Sequence, residues 1–383
     1  MRISIILESF QPNYWGGKET RWHKLIPEMS RNHDLTIFAD FSKTNPKIAF
    51  PDSNFKAIDI GPLPYMYNTN GKRSLLHAFM FTLKCFKLLS VKTDLVITDL
   101  TPLISLPFIR IMVIFLRSNF SVVWHEVWDL ETWCRYSRFT GYIGLILQTV
   151  AYIASENVVV PSQKVEEDFR KRYSSKSPTL IQNGVDIITT PNFASKRDLV
   201  INGSINLLYV GRLIKHKNCD FLLHLLKAAS DSGKKWNLRI VGNGPLLQEL
   251  TILASELEIG HCVQFFQDIP TDDLHALYRN SDLFVFASER EGYGFTVAES
   301  LMFNLPVVIY DVHFNASTHF VTSEDFGQKI PKLDVGLWID GVEKVLARER
   351  ANVSRDFRIT QLSWSDVSEI YEQFLISTSK ASH

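Results

Sequence analysis

The chain has little cysteine, and what it has is scattered: Cys85, Cys134, Cys219 and Cys262 among 383 residues, with no C-x-x-C pair and no metal-ligand spacing. That excludes a disulfide framework and a cysteine-built zinc site, and it suits inert thiols in a reducing compartment. Neither sign of charge is in excess, since Lys plus Arg and Asp plus Glu are 41 each. The whole-chain charge therefore gives no reason to expect nucleic acid or a bulk anionic partner, and any electrostatics must be local. Long apolar runs are missing too. The strongest, 102–116, is interrupted by Pro107 and Arg110 and falls short of the ~20 residues a membrane crossing needs. Met1 to Leu7 enters a strand-like pattern directly, with neither an apolar leader core nor a small-residue cleavage site, so a cytoplasmic protein is expected.

What is present reads as two folded halves. The length suits two domains of ordinary size, and 45% hydrophobic with 21% charged residues is the composition of a globular chain. Apolar runs at Ile3–Leu7, Leu35–Phe38, Leu95–Thr98, Val122–His125 and Val158–Val160 alternate with helical stretches such as Lys18–Arg31 and Ser74–Ser90. A second series follows, at Asn206–Val210, Leu238–Val241, Val263–Phe266, Leu283–Phe286 and Val307–Tyr310. Alternation of this kind predicts parallel sheets with crossover helices. The expected organisation is a first domain over 1–186, a linker over 187–204 rich in Pro, Asn, Ser and Lys, and a second domain over 205–364. A last helix, 365–378, follows Trp364.

The densest functional signal is Glu291-Gly292-Tyr293-Gly294-Phe295-Thr296-Val297-Ala298-Glu299. A strand precedes it and a helix from Thr296 to Phe303 follows, so the glycines fall where strand hands over to helix. Backbone N–H groups and the positive helix end favour an anion there. Glu291 and Glu299, one on the loop and one on an early turn, would face one crevice at the carboxyl ends of the strands. Carboxylates accept but never donate, which suits vicinal hydroxyls. The pair with the anion site describes a nucleotide-sugar, although a solvated loop acid and a helix-surface acid give the same spacing. A leaving diphosphate must be neutralised by a metal or by fixed cations. No Asp-x-Asp metal motif occurs at a strand end, whereas Arg212 just after a strand can grip phosphate bidentately and Lys217 adds a point charge. His216 and Lys215 between them read as solvated. Gly242-Asn243-Gly244 could also open a dinucleotide site, but position 247 is Leu where a third Gly belongs.

These stations together resemble the retaining glycosyltransferases of family 4, of GT-B architecture. Leu208-Tyr209-Val210-Gly211-Arg212-Leu213 with Lys217, Ile240-Val241-Gly242-Asn243-Gly244-Pro245, and Ser288 through Glu299 match the second half. Gly16-Gly17, His125-Glu126 and Asn183-Gly184-Val185-Asp186 match in order before them. The resemblance implies an α/β fold of two Rossmann-like, doubly wound domains facing across a cleft, with the last helix returning to the first. It implies that Glu299 holds the donor ribose, Glu291 the transferred sugar, and the backbone of Gly292, Tyr293, Gly294 and Phe295, with Gly17 and Gly242, the diphosphate or sugar oxygens. His125 would lie beside the reacting carbon. The implied reaction moves a hexose from a UDP- or GDP-sugar to a glycan or lipid-linked saccharide, with no cofactor beyond the donor and no enzymatic nucleophile. A sugar-nucleotide epimerase and a catalytically silent partner subunit are the rival readings. The chain departs from the family after Asp311, where Val312 to Ser317 replace a Gly-Gly and Pro-Glu pattern, and at Gln267, where Gly is usual. Peripheral contact with the inner face of the cell membrane is expected if Ser74–Leu89, apolar with Lys72, Arg73, Lys84, Lys87 and Lys92 in or beside it, is interfacial; as crossover helices, it and 102–116 would simply cover the sheet.

Overall fold

The computed structural model describes residues 1–14, 16–67, 73–134, 137–186, 203–348, 357 and 361–380. The chain divides into two compact units, 1–184 with 362–383, and 185–361.

In the first unit a seven-stranded sheet runs in the order β3-β2-β1-β4-β5-β6-β7, all neighbours parallel. The strands are β1 Arg2–Ile6, β2 Asp34–Ala39, β3 Phe55–Asp59, β4 Leu95–Asp99, β5 Asn119–Val123, β6 Asn157–Val160 and β7 Thr179–Leu180. The second unit repeats the plan with six: β8 Ile205–Val210, β9 Trp236–Val241, β10 Val263–Phe266, β11 Leu283–Phe286, β12 Val307–Tyr310 and β13 Gly327–Ile330, ordered β10-β9-β8-β11-β12-β13. Helices on both faces explain why central strands such as Leu95–Asp99 and Leu283–Phe286 are buried at every position and read as unbroken apolar runs. In each unit the order reverses direction beside the first strand, β1 or β8. That switch point opens a crevice at the strands' carboxyl ends.

The strands missing from the sequence reading, β3, β7 and β13, are three of the four sheet edges. An edge strand buries only part of its length, so the apolar signature fades; β3 is FKAID with only its Phe and Ile half-buried. His125 lies two residues beyond the end of β5, not within it. The second unit begins at Val185 instead of 205, while most of the expected linker, 187–202, lies outside the described residues. The return to the first unit comes before Trp364, because Trp364 is 8% exposed and packs against the backbone of Gly184. The final helix, Trp364–Lys380, lies on the helix Gly17–Met29, where the Arg21 guanidinium sits 5.4 Å from the Tyr371 ring centre and Asn32 bonds Glu372.

Candidate active site

Within the second unit, Gly211-Arg212 follow the end of β8 and the chain then makes a short 3-10 turn, Lys215–Lys217. The turn buries Lys217 to 7% exposure, and its ammonium pairs with the Glu291 carboxylate, 5.6 Å from the Phe286 ring centre. β8 and β11 are neighbours in the sheet, which is why residues 74 apart in sequence meet. Arg212 itself is exposed. His216 is half-buried, and burial, with Lys217, Arg290 and Arg212 nearby, drives its pKa down to about 3. The ring therefore stays neutral at physiological pH and adds nothing to the cationic charge, while its carbonyl accepts from the Glu289 amide at 2.8 Å. The expectation that it is solvated is corrected by that packing.

Two glycines are required by backbone, not by flexibility. At Gly242, φ is 150° and a Cβ would stand 1.9 Å from the Gly211 carbonyl oxygen, so the loops after β8 and β9 touch main chain to main chain. At Gly294, φ is 95° and a Cβ would meet the Ser317 side chain at 2.1 Å. Gly294 caps the helix Phe295–Met302, whose N-terminal end carries the partial positive charge of its peptide dipoles. The Tyr293 side chain is buried: it is 6% exposed, lies 4.9 Å from the Phe295 ring and meets Phe320 edge-on at 5.1 Å. What Tyr293 offers a ligand is main chain.

Glu299 is one turn into this helix and its Oε2 accepts a 2.9 Å bond from the Tyr278 hydroxyl. Burial, and then the Glu299 charge, holds the Tyr278 hydroxyl far above its ordinary pKa, so it remains a donor. Each acid of the signature thus has its own anchor: Lys217 for Glu291, Tyr278 for Glu299. Sequence reasoning missed Tyr278, which sits on the preceding helix, Thr271–Arg279, and shows no spacing to the signature. The loop that departs from the family pattern is pinned by Asn315, 1% exposed, whose amide donates to the Ser288 carbonyl at 3.1 Å and the Tyr310 carbonyl at 2.9 Å. The Glu291 amide donates to Phe314 and the Glu291 carbonyl accepts from Ala316, so this loop holds Glu291's backbone from both sides. Gln267 bonds Asn243 at 2.6 Å, and Asn243 bonds Asp268 at 2.6 Å.

The first unit has an array of its own at the carboxyl ends of β1, β4 and β5. Gly17 opens the helix Gly17–Met29, with Gly16 as its extended N-cap. The next residue, Lys18, reaches Glu8 at 3.0 Å; Arg73 reaches the same carboxylate at 2.9 Å and His77 lies 3.5 Å from it. From the same helix Trp22 donates to Asp99 at 3.1 Å, and Asp99 stands 2.7 Å from His125 Nε2. Gly17 and His125 are therefore connected through Trp22 and Asp99. The pair fixes one ring nitrogen of His125, Nε2. Burial alone would raise the Asp99 carboxyl, but His125 and Lys18 outweigh it and hold it below the usual range. Glu8, Lys18, Arg73 and Asp99 were not singled out from the sequence; the available signal was an acid standing just after an apolar strand, at Glu8 and at Asp99.

Glu8 makes a prediction for this unit. Burial opposes its charge, yet Lys18 and Arg73 overcome that and hold it well below 4.5. A depressed carboxyl contributes stability that is full above its unfolded value and is lost as pH falls below about 4.5. Glu8→Gln strands two cations and is expected to lower stability at pH 7 by about 3 kcal/mol. The gap in melting temperature from the parent should narrow as pH drops toward 3; a gap that stays constant from pH 7 to 3 would remove Glu8 from this role.

Two Rossmann-like parallel-sheet units define the class as a GT-B fold. The profile of Glycosyltransferase Family 4 matches residues 15–188, and that of Glycosyl transferases group 1 matches residues 193–358; the chain belongs to the group 1 glycosyltransferases. An uncharacterised glycosyltransferase of Haemophilus influenzae is 28% identical over 184 residues, 47% of this chain and 49% of the relative. The aligned region spans from a third to under two thirds of the first curated relatives. By structure the chain is similar to sucrose-phosphate synthase from Thermosynechococcus elongatus, with a TM-score of 0.78 at 18% identity over 99% of both chains. It is also similar to the Anabaena HepE protein in complex with UDP and glucose, with a TM-score of 0.72 at 16% identity over 98% of this chain and 100% of that one. At these identities the likeness is one of fold.

Proposed function

We propose that the protein is a retaining glycosyltransferase that moves a hexose from a UDP- or GDP-sugar to a glycan or lipid-linked saccharide, working on the cytoplasmic side of the membrane without a catalytic metal. The observation that carries this reading is the Lys217–Glu291 pair beside Arg212 and the start of the helix Phe295–Met302. A buried cation next to a carboxylate can turn toward phosphate while the carboxylate takes sugar hydroxyls. Glu299, oriented by Tyr278, is suited to a ribose diol. In the first unit, Asp99 orients His125, the second residue proposed for catalysis. In the step itself the bond from the sugar's C1 to the diphosphate oxygen breaks and the bond from C1 to the acceptor oxygen forms on the same face. The acceptor's proton passes to the departing phosphate oxygen, and Arg212 and Lys217 stabilise the charge that grows there. All four cysteines are free thiols, which accords with a reducing compartment.

The reading is tested by incubating the purified chain with UDP- and GDP-sugars and following nucleotide release and product anomer. Transfer is expected to survive EDTA, since fixed cations do the neutralising. Strict dependence on magnesium or manganese would sink the fixed-cation mechanism, and an epimerised donor without transfer would sink the transferase reading.

A further inference from the structure

Three neighbouring helices of the first unit carry apolar side chains on the face turned to solvent. Leu75–Lys84 with its continuation Cys85–Ser90, Ser105–Leu116, and Arg138–Ala154 lie side by side, the middle one packing on both others. Each already buries one apolar row, with Phe81, Ile109 and Ala151 as examples. A helix that covers a sheet needs only that row and ordinarily presents a polar one to water. Here the outer rows are apolar as well: Leu75 is 88% exposed, Phe115 77%, Phe139 76%, Ile153 70%, Ile146 61% and Phe79 53%. Most of the exposed large hydrophobic side chains among the described residues belong to these helices. Contiguous apolar surface of that kind marks an interaction site.

Charge decides what covers it. None of the three helices, nor the turn Cys85–Ser90, contains a single Asp or Glu, in a chain whose acids and bases are equal in number overall. Their charges are Lys84, Lys87, Arg110 and Arg138, with exposed Arg117 and Lys92 just past two of the ends; the one acid at an end, Glu156 just past Ala154, pairs with Arg110 at 2.6 Å. Apolar rows fringed mainly by cations match the surface of an anionic bilayer, where the rows enter the acyl boundary and the cations stay among the phosphates. A second copy of the same face would instead bring cationic fringe against cationic fringe. No helix among the described residues is long and apolar enough to cross a membrane, so the contact lies on the lipid surface. We propose that this three-helix face docks the first unit on anionic lipid, Arg138–Ala154 being the part that no charge pattern in the sequence announced. The proposal concerns binding and stands apart from the transfer reaction.

The test is co-sedimentation of the full chain with phosphatidylcholine vesicles, with and without phosphatidylglycerol. Lys84 and Lys87 are poor handles, because their ammonium groups bond the Gly61 and Asp59 carbonyls and changing them would disturb the unit. The informative variants are Phe115→Ser with Phe139→Ser and Ile153→Ser, all at strongly exposed positions, and separately Arg117→Glu with Arg138→Glu. Binding to the anionic vesicles is expected, weakened by salt. The triple variant should lose it at least ten-fold and the charge variant several-fold, with melting curves unchanged. Full chain left in the supernatant at low salt, or variants that bind as the parent does, would overturn the proposal. So would a dimer in sedimentation equilibrium that the triple variant dissolves, since the face would then belong to a second copy.

Discussion

Glu291→Gln is expected to lower turnover by roughly 10²–10³-fold, the scale seen when one well-placed polar group is removed from a reacting centre. The amide keeps the side chain's shape but loses the charge that balances Lys217 and that, in the proposed function, accepts sugar hydroxyls. The second loss has a structural consequence: Lys217 is 7% exposed, and a buried cation without its partner costs stability. The two effects separate when turnover is measured well below the melting transition of Glu291→Gln, where the variant is folded. Loss of turnover there is the expected result, and near-normal transfer by Glu291→Gln would take Glu291 out of the site.

Arg212→Ala together with Lys217→Ala is expected to weaken UDP and GDP binding by about 10²–10⁴-fold. The range follows from two charge-assisted contacts at about 1.5–3 kcal/mol each, with about 1.4 kcal/mol to each factor of ten. Their shares should be unequal. Lys217 is already engaged by Glu291, so turning it toward phosphate gives up part of that pairing, whereas Arg212 is exposed and its fork is suited to bidentate contact. Arg212→Ala is therefore expected to lose more affinity than Lys217→Ala. Calorimetry is the measurement, and affinities for UDP and GDP unchanged in the double variant would dismiss both residues as the diphosphate site. His216 offers no substitute, because burial and its cationic neighbours keep it neutral.

Most of the fold was legible because it is written in local patterns. Central parallel strands are buried on both faces and leave apolar runs such as Leu95–Asp99, and the glycines at 242 and 294 mark places where main chain must approach other atoms. Three of the four edge strands were not legible: β3 and β13 mix polar with apolar residues and β7 is only two residues long, whereas the edge strand β10 was read from its Val and Phe residues. Of the residues around the candidate site, the motif members could be found one by one, but their anchors could not. Tyr278 for Glu299, Asp99 for His125 and Asn315 for the loop around Glu291 are joined to their partners by sheet order and helix packing, at separations no motif encodes.

By itself the sequence determined two parallel α/β units, their family, and the strand ends where the chemistry-bearing residues Arg212, Lys217, Glu291 and His125 stand, because backbone conformation and burial follow from residues close along the chain. Only the tertiary structure decided which charges meet. It set Lys217 against Glu291 because β8 and β11 are neighbours, gathered Lys18, Arg73 and His77 around Glu8, and aligned three helices whose outer rows form one acid-free apolar face. Electrostatic pairing and surface continuity act through space over a few ångströms, and that distance is created by folding rather than by position in the chain.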